Sequence, residues 1–566
     1  MTTTTTTPTN PFIPFFPTTQ KIKSPRAVQL EVFNQLWQLL PTTRKIIIAA
    51  PTGSGKSIIG YTFLRYAQHT GERGLYTSPL NVLVEQLKNE FNIPTLKGRK
   101  NYPCVSRGSP FTAEEGYCQS DQCSLDINEP RTCREEKYKS DIDIDIDNGN
   151  DNKTKKDCTM CKCRHCIYLS ELLTFKRAPI ANTNFTLFEI GLHNEPYTVI
   201  IDESDDIETF IRMHHTVTIY EDWGSQSWQD HLILLEDYRD QLHTDHAKAT
   251  GIHKIKIERK LSKVNYLLSD YARYKEPWCV TISAYNGKPK ITYEPITINR
   301  FLEPLTKNRI MVLMSATPQR LPDYQLIEVD SEFPPDIRPW LWYPLGRMSY
   351  RYREKTIPKV AEFVAGLRGK TVVHCGSYMT AENIYRALER YADHNGLDDN
   401  DNVAGRTYLQ RPDSYPECMD DILDDKVNVR RKDIVQLFKE CRQPNQILLS
   451  VKLERGVDFY EPEIVNNVIA VVPWPNPNEP LTKAKNEYLG TGWQDEEVAR
   501  ALMQSYGRVV RGTHKRTTTY YIDSNFNNPA LGRWFTSHKH LFYKWFLEAE
   551  VQQLPRPQVN QPLLHT

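Results

Sequence analysis

Residues 45–50 form a short apolar run that breaks into Ala50-Pro51-Thr52-Gly53-Ser54-Gly55-Lys56-Ser57, and helical spacing follows over residues 57–67. A buried strand that turns on glycines into a helix leaves successive backbone N–H groups pointing at one place, and such a place binds phosphate. The strict G-x-x-x-x-G-K-[ST] pattern is not met, because Ala50 stands at its first glycine. Gly53 and Gly55 still allow the turn. Lys56 supplies a charge for β/γ-phosphates and Ser57 a hydroxyl for Mg²⁺.

The same rhythm continues along the chain. Strand-like runs occur at 75–77, 197–201 and 310–314, with a helix expected at 82–91. The pattern restarts at 371–375, 446–450, 468–472 and 518–522. Strands alternating with helices imply parallel sheets, so two α/β domains in tandem are expected. The run at 197–201 closes on Asp202 and Glu203, placed to hold Mg²⁺ and to orient and activate an attacking water.

Two interruptions fall in the first half. Eight of the 12 cysteines lie between Cys104 and Cys166, in a segment that also carries the acidic, repetitive stretch 141–156, expected to be disordered. Thiolates bind soft metals and iron–sulfur clusters. The second interruption, about 210–305, has Leu232, Leu235, Tyr238 and Leu242, then Ile257, Leu261, Val264 and Leu268, at helical spacing. Two helices are expected there.

Bulk charge excludes little: 71 basic against 70 acidic residues give +1, so a polyanion groove must come from local patches. Two are visible. Lys254, Lys256, Arg259, Lys260 and Lys263 line one stretch of the insert. Trp340, Trp342, Tyr343, Arg347, Tyr350, Arg351, Tyr352 and Arg353 interleave aromatic and basic residues. Each reads equally well as a strand contact or as a solvated face or packed linker. No apolar run is long enough to span a bilayer, and the threonine-rich start lacks the basic region and apolar core of a signal peptide. A soluble, intracellular protein with reduced thiols is expected, which favours metal ligation over disulfides.

The motif order resembles the superfamily 2 helicases. Met314-Ser315-Ala316-Thr317 is similar to their S-A-T motif, and Gln504-Ser505-Tyr506-Gly507-Arg508-Val509-Val510-Arg511 to Q-x-x-G-R-x-x-R. Arg26 and Gln29 stand as an adenine-contacting R-x-x-Q element does. Thr77-Ser78-Pro79-Leu80 with Asn81 and Gln86 resembles motif Ia, and Arg455-Gly456-Val457-Asp458-Phe459 motif V. One branch carries cysteines between motifs I and II, the iron–sulfur helicases of the XPD/DinG type. Gly98-Arg99-Lys100-Asn101-Tyr102-Pro103-Cys104 and Cys166-Ile167-Tyr168 are similar to the patterns that bound its cluster segment. The insert resembles a shortened Arch domain.

The resemblance implies two RecA-like P-loop domains, a cysteine domain and a small helical Arch-like insert. The expected bounds are a disordered leader 1–20; domain 1 at 21–96, 169–209 and 306–330; the iron–sulfur domain 97–168; the insert 210–305; domain 2 at 331–553; and a tail 554–566. It implies ATP and Mg²⁺ at Arg26, Gln29, residues 51–57, Asp202 and Asp458. Catalysis falls to Lys56, Asp202, Glu203, Gln504, Arg508 and Arg511. Thr77, Ser78 and Asn81 would meet the DNA strand, and Ser315 and Thr317 would couple it to the nucleotide. A [4Fe–4S] cluster would sit on Cys104, Cys118, Cys123 and Cys166. Cys158, Cys161 and Cys163 are the alternatives, and with His165 and Cys166 they also suit zinc. Two departures stand out: Asp205 where the branch usually has the histidine of D-E-A-H, and Arg455 where it usually has glutamate.

The implied activity is an ATP-dependent 5′→3′ helicase, a monomer, acting on single-stranded or forked DNA with no membrane partner. A strand-stimulated ATPase that remodels without unwinding, and a non-catalytic metal-binding nucleic-acid module, are the competing readings.

Overall fold

The computed structural model describes residues 10–18, 23–103, 167–191, 197–220, 228–274, 278–285, 288–394, 407–409, 431–441, 443, 445–451, 464–507, 509 and 516–551. Its strands, in chain order, are β1 (Lys45–Ala49), β2 (Gly74–Ser78), β3 (Thr95–Leu96), β4 (Ile180–Asn184), β5 (Thr198–Asp202), β6 (Val217–Ile219), β7 (Trp278–Tyr285) and β8 (Lys288–Pro295), then β9 (Ile310–Ser315), β10 (Gln325–Glu328), β11 (Trp340–Gly346), β12 (Lys370–His374), β13 (Thr407–Leu409), β14 (Ile447–Ser450), β15 (Ile464–Ile469) and β16 (Thr518–Asp523).

The first sheet has seven strands in the order β10-β1-β9-β5-β2-β4-β3. Its centre is apolar on both faces, as a parallel strand between helix layers must be: Ile46, Ile47 and Ile48, Met311 to Met314 and Val199 to Ile201 are all 2% exposed or less. Ile47 pairs with Leu313 on one side and Leu326 on the other, both parallel. The second sheet, β11-β16-β15-β12-β14-β13, is parallel at every pairing. Its core joins Trp340, Tyr521, Phe526, Phe535 and Phe546, with Trp340 stacked on Phe546 at 4.8 Å. Two parallel α/β sheets in tandem are the RecA-like arrangement that the motif order implies.

The chain divides into two compact units, residues 1–66, 201–205 and 310–566, and residues 67–200 and 206–309. The boundary differs from the expected one, in that the strands and helices of 67–96 and 169–200 fall in the unit that holds the insert.

Two expectations need correction, and one open reading is decided. The insert is not purely helical. Its helices Trp228–Lys248 and Gly251–Tyr274 accompany a three-stranded antiparallel sheet, β6-β8-β7, with Val280 opposite Tyr293. Apolar residues at helical spacing revealed the helices, whereas β7 and β8 alternate too weakly to stand out. The leader is not structureless over residues 10–18. Phe12 is fully buried, its ring 4.6 Å from Tyr66, 5.6 Å from Phe63 and 5.7 Å from Phe33. Burying an aromatic ring offsets the entropy of ordering a short segment. Finally, Trp340 is a core residue of β11, not part of a surface patch. Among the described residues, no helix is long and apolar enough to cross a membrane.

Candidate nucleotide site

The glycine loop follows β1 and leads into the helix Lys56–His69, which buries Ile59, Phe63, Leu64 and Ala67. Gly53 and Gly55 take φ of +87° and +77°, a region that side-chain-bearing residues rarely enter. A second constraint holds Gly55: a Cβ there would lie 2.4 Å from Gln29 Nε2 and 2.7 Å from Arg26 Nη2. Arg26 Nη2 donates to the Gly53 carbonyl at 2.9 Å, and Gln29 Nε2 to that of Ser54 at 3.2 Å. The R-x-x-Q element therefore braces the loop from behind. Arg26 also pairs with Glu332, whose own pKa is raised by burial against the pull of Arg26. A Cβ on Gly53 would lie 2.7 Å from Phe333 Cε2. Sequence reading missed Glu332 and Phe333. They lie far along the chain, and no motif marks them.

The loop suits a phosphate. Ser54 Oγ is buried with no hydrogen-bond partner among the described residues. Among the described residues, Lys56 Nζ makes a long contact, 3.4 Å, to the Ala50 carbonyl. Ser57 is in the first turn of the helix, where backbone N–H groups are unpaired and the helix dipole favours an anion. Pro51 is buried and Thr52 half-buried at the start of the turn.

Asp202 ends β5 and is 7% exposed. Glu203 sits at φ +50°, a conformation costing about 1–3 kcal/mol that persists where surrounding structure imposes it. Its N–H donates to Asp202 Oδ1 at 3.0 Å. Two residues on, Asp205 accepts from Ser315 Oγ at 2.7 Å and from Gln504 Nε2. Ser315 Oγ also accepts the Thr317 N–H at 3.2 Å, and the Ser315 carbonyl accepts the Ala50 N–H at 3.0 Å. The helix Gly492–Gly507 delivers Gln504 and ends beside the loop, where a Cβ on Gly507 would be 3.4 Å from Thr52 Oγ1. The loop, the acidic turn, the S-A-T segment and the start of the Q-x-x-G-R motif thus meet in one place. Arg508, Arg511 and Asp458 lie outside the described residues.

Thr77 and Ser78 end β2 in the other unit. Both are fully buried, and their hydroxyls have no partner among the described residues. Asn81 opens the helix Asn81–Phe91, donating to Asn101 at 3.2 Å and accepting from Asn184 at 3.1 Å. Cys104, Cys118, Cys123, Cys166 and the alternatives Cys158, Cys161 and Cys163 lie outside the described residues. Among those described there is no group of three or more metal-ligating side chains. Cys279, Cys375 and Cys441 form no disulfide among the described residues, and burial pushes the thiol pKa of Cys375 far up.

The residues flanking the cysteine segment are described. Tyr102 OH donates to Glu171 Oε2 at 2.6 Å and accepts from the Lys97 N–H at 2.9 Å, while the Tyr102 and Tyr168 rings pack edge to face at 5.3 Å. Burial and Glu171 together hold the Tyr102 hydroxyl protonated, far above its ordinary range.

The DEAD/DEAH box helicase family model matches residues 26–121, and the Helicase C-terminal domain model residues 360–540. The solved structure of S. tokodaii Xpd4 aligns over 94% of this chain and 100% of its own, at 12% identity and a TM-score of 0.50. A solved XPD helicase aligns over 93% and 99%, at 13% identity and a TM-score of 0.55. The Regulator of telomere elongation helicase 1 homolog of Arabidopsis thaliana is 27% identical over 134 residues, which span 20% of this chain and 12% of that protein.

Proposed function

We propose that this chain, which belongs to the XPD/DinG-type helicases of superfamily 2, converts ATP hydrolysis into 5′→3′ movement along single-stranded DNA and opens duplex ahead of it. The observation that carries the proposal is the Asp205 junction, where a glutamine of the second RecA-like half reaches a carboxylate beside the acidic pair of the first. Such a bond makes the chemistry sensitive to the closure of the two halves.

The residues have separable roles. Lys56 and the 53–57 backbone bind the β/γ-phosphates, with Arg26 and Gln29 holding the loop; Gln29 is 1% exposed with both ends of its amide bonded, so its share is to brace the loop rather than to meet the adenine. Ser57 and Asp202 would hold Mg²⁺, which neutralises charge on the phosphate oxygens. Glu203 orients the water and accepts its proton as oxygen attacks the γ-phosphorus and the bond to the bridging oxygen breaks. Arg508 and Arg511 stabilise the charge that develops. Asp458 joins the nucleotide set. Ser315 and Thr317 carry the change toward the strand-binding surface, where Asn81 lies at the start of its helix. Because Thr77 and Ser78 are buried, their share is to position the turn after β2 rather than to reach the strand directly.

Cys104, Cys118, Cys123 and Cys166 would hold a [4Fe–4S] cluster. Cys104 stands two residues beyond Tyr102 and Cys166 two before Tyr168. Two residues span at most about 7 Å, so the Tyr102–Tyr168 contact supports bringing the first and last thiols to one site. Metal–thiolate bonds would contribute folding free energy as well as hold the cluster. Anaerobically purified protein is expected to be brown, with about four iron per chain; zinc in place of iron would move the ligands to Cys158, Cys161, Cys163 and Cys166.

Strand displacement on duplexes with opposite overhangs tests the proposal. Unwinding is expected with a 5′ overhang only, and Lys56→Ala abolishes it together with ATP turnover. The compact insert favours a second reading, a translocase that remodels without unwinding. Strand-stimulated ATPase without displacement on either substrate would establish it.

A further inference from the structure

The turn between β11 and the helix Arg353–Gly366 separates the two readings of the aromatic and basic stretch. Trp340 and Leu341 are core residues, and Tyr343 stacks on Phe363 at 5.1 Å. Trp342 packs against the same core and donates from Nε1 to the Asp523 carbonyl at 3.4 Å, whereas residues 349–352 face out. Tyr350 is 81% exposed and Tyr352 41%, with Met379 at 54% nearby. Exposed aromatic rings are common singly, but these are organised. Arg353 lies over the Tyr350 ring at 4.7 Å, and Arg347 over the Tyr352 ring at 5.3 Å. Arg353 Nη2 also reaches Met379 Sδ at 3.4 Å, tying the turn to the start of the helix Tyr378–His394.

The backbone beneath is fixed. The Tyr352 and Arg353 N–H groups both donate to the Ser349 carbonyl, at 2.9 and 3.0 Å. Thr356 Oγ1 donates to the Arg347 carbonyl at 2.9 Å. Charge over residues 347–355 is one-sided: Arg347, Arg351, Arg353 and Lys355 against Glu354 alone. An exposed ring with a guanidinium on one face, held on a rigid turn amid excess positive charge, has the chemistry of a platform for an unpaired base and its phosphate.

We propose that this turn is a base-stacking step of the second RecA-like half. Tyr350 takes one base of the single strand on the ring face turned away from Arg353, Arg351 takes the neighbouring phosphate, and Tyr352 offers a second ring. The inference rests on the reading of this chain as a motor on single strands.

Fluorescence anisotropy of the full chain with a labelled oligothymidylate tests it. Tyr350→Ala is expected to weaken binding about 5- to 150-fold, the range set by losing one stacked base, and Tyr350→Phe to stay within about 2-fold. On a strand of the same length made of abasic residues, wild type and Tyr350→Ala bind alike. Arg351→Ala lowers the slope of log affinity against log salt by about one. Because Tyr350 is exposed, its variants keep the wild-type melting midpoint. Tyr350→Ala binding oligothymidylate as tightly as wild type overturns the platform, as does an equal loss on the abasic strand. Wild type that binds no strand removes the motor reading along with it, whereas tight wild-type binding untouched by Tyr350→Ala removes the platform alone.

Discussion

The carboxylate of Asp205 accepts a hydrogen bond from Ser315 Oγ at 2.7 Å. Its second oxygen accepts from Gln504 Nε2, so one side chain joins segments 110 and 299 residues away. The XPD/DinG branch usually has a histidine at this position. A histidine offers one acceptor nitrogen, whereas a carboxylate offers two oxygens and binds two donors at once.

Removing that acceptor strands two polar groups in a buried junction. Hydrogen bonds to charged groups contribute about 1.5–3 kcal/mol, so Asp205→Ala is expected to lower strand-stimulated ATP turnover about 10-fold or more. Gln504→Ala should lower it by a similar factor, and the double variant by little more than either. Steady-state ATPase across the double-mutant cycle measures this. Strictly additive losses would show that the Asp205–Gln504 bond plays no part in coupling.

Gly55 and Gly532 offer a matched comparison. Their φ values are +77° and +78°, yet a Cβ at Gly532 meets nothing within 4 Å, while one at Gly55 collides with Gln29 and Arg26. Gly532→Ala should cost only the left-handed conformation, about 1–2 kcal/mol, seen as a modest drop in melting midpoint. Gly55→Ala should pay the same strain and also displace the two side chains that brace the loop. Nucleotide affinity, followed by a fluorescent ATP analogue, is expected to fall at least about 10-fold in Gly55→Ala and to stay unchanged in Gly532→Ala.

Legibility in the sequence tracks the range of the interactions. Apolar β-branched runs such as Ile46 to Ile48 reveal central parallel strands, because burial on both faces leaves no polar alternation. The glycine loop is visible because its chemistry is contiguous. Short or edge strands escape: β3 has two residues, and β11 was hidden in a stretch whose first half is core and whose second half is surface. The Asp205 junction and the packing of Glu332 and Phe333 on the loop depend on partners hundreds of residues away, which local periodicity does not register. The cysteine ligands belong to the same class, since eight thiols in one segment fit several ligand sets.

His215 gives the insert-bearing unit a pH dependence. Its ring lies 4.1 Å from that of Phe301 and 4.7 Å from that of Tyr266, and Nε2 is 2.9 Å from Glu189 Oε1. Burial, reinforced by Lys263, lowers its pKa to about 4. The folded ring is therefore neutral where an unfolded one, near 6.5, takes up a proton. Its contribution is complete above about pH 6.5 and is lost as pH falls toward 4, about 3 kcal/mol in all. Urea denaturation between pH 7.5 and 4.5 should show falling stability, and His215→Phe should flatten that decline. An equal decline in the variant would assign the effect to other groups.

Arg338 is 1% exposed and bonded on every side. Nε donates to the Phe333 carbonyl at 2.6 Å, Nη1 to Tyr506 OH at 3.2 Å and to the Trp545 carbonyl, and Nη2 to Glu548 Oε1 at 2.5 Å. It thereby ties the segment that covers Gly53 to the C-terminal residues packed on the second sheet. Arg338→Ala leaves two carbonyls and a hydroxyl short of a donor inside the core, at about 1–3 kcal/mol for each group left unsatisfied. The Glu548 side chain stays 30% exposed and can be hydrated, so Glu548→Gln should cost no more than about 1 kcal/mol. Tryptophan fluorescence reports the transition, because Trp340 and Trp545 are both buried there. Equal losses in the two variants would mean that the ion pair, rather than the carbonyl cage, holds the segment; a loss confined to Arg338→Ala assigns the hold to the cage.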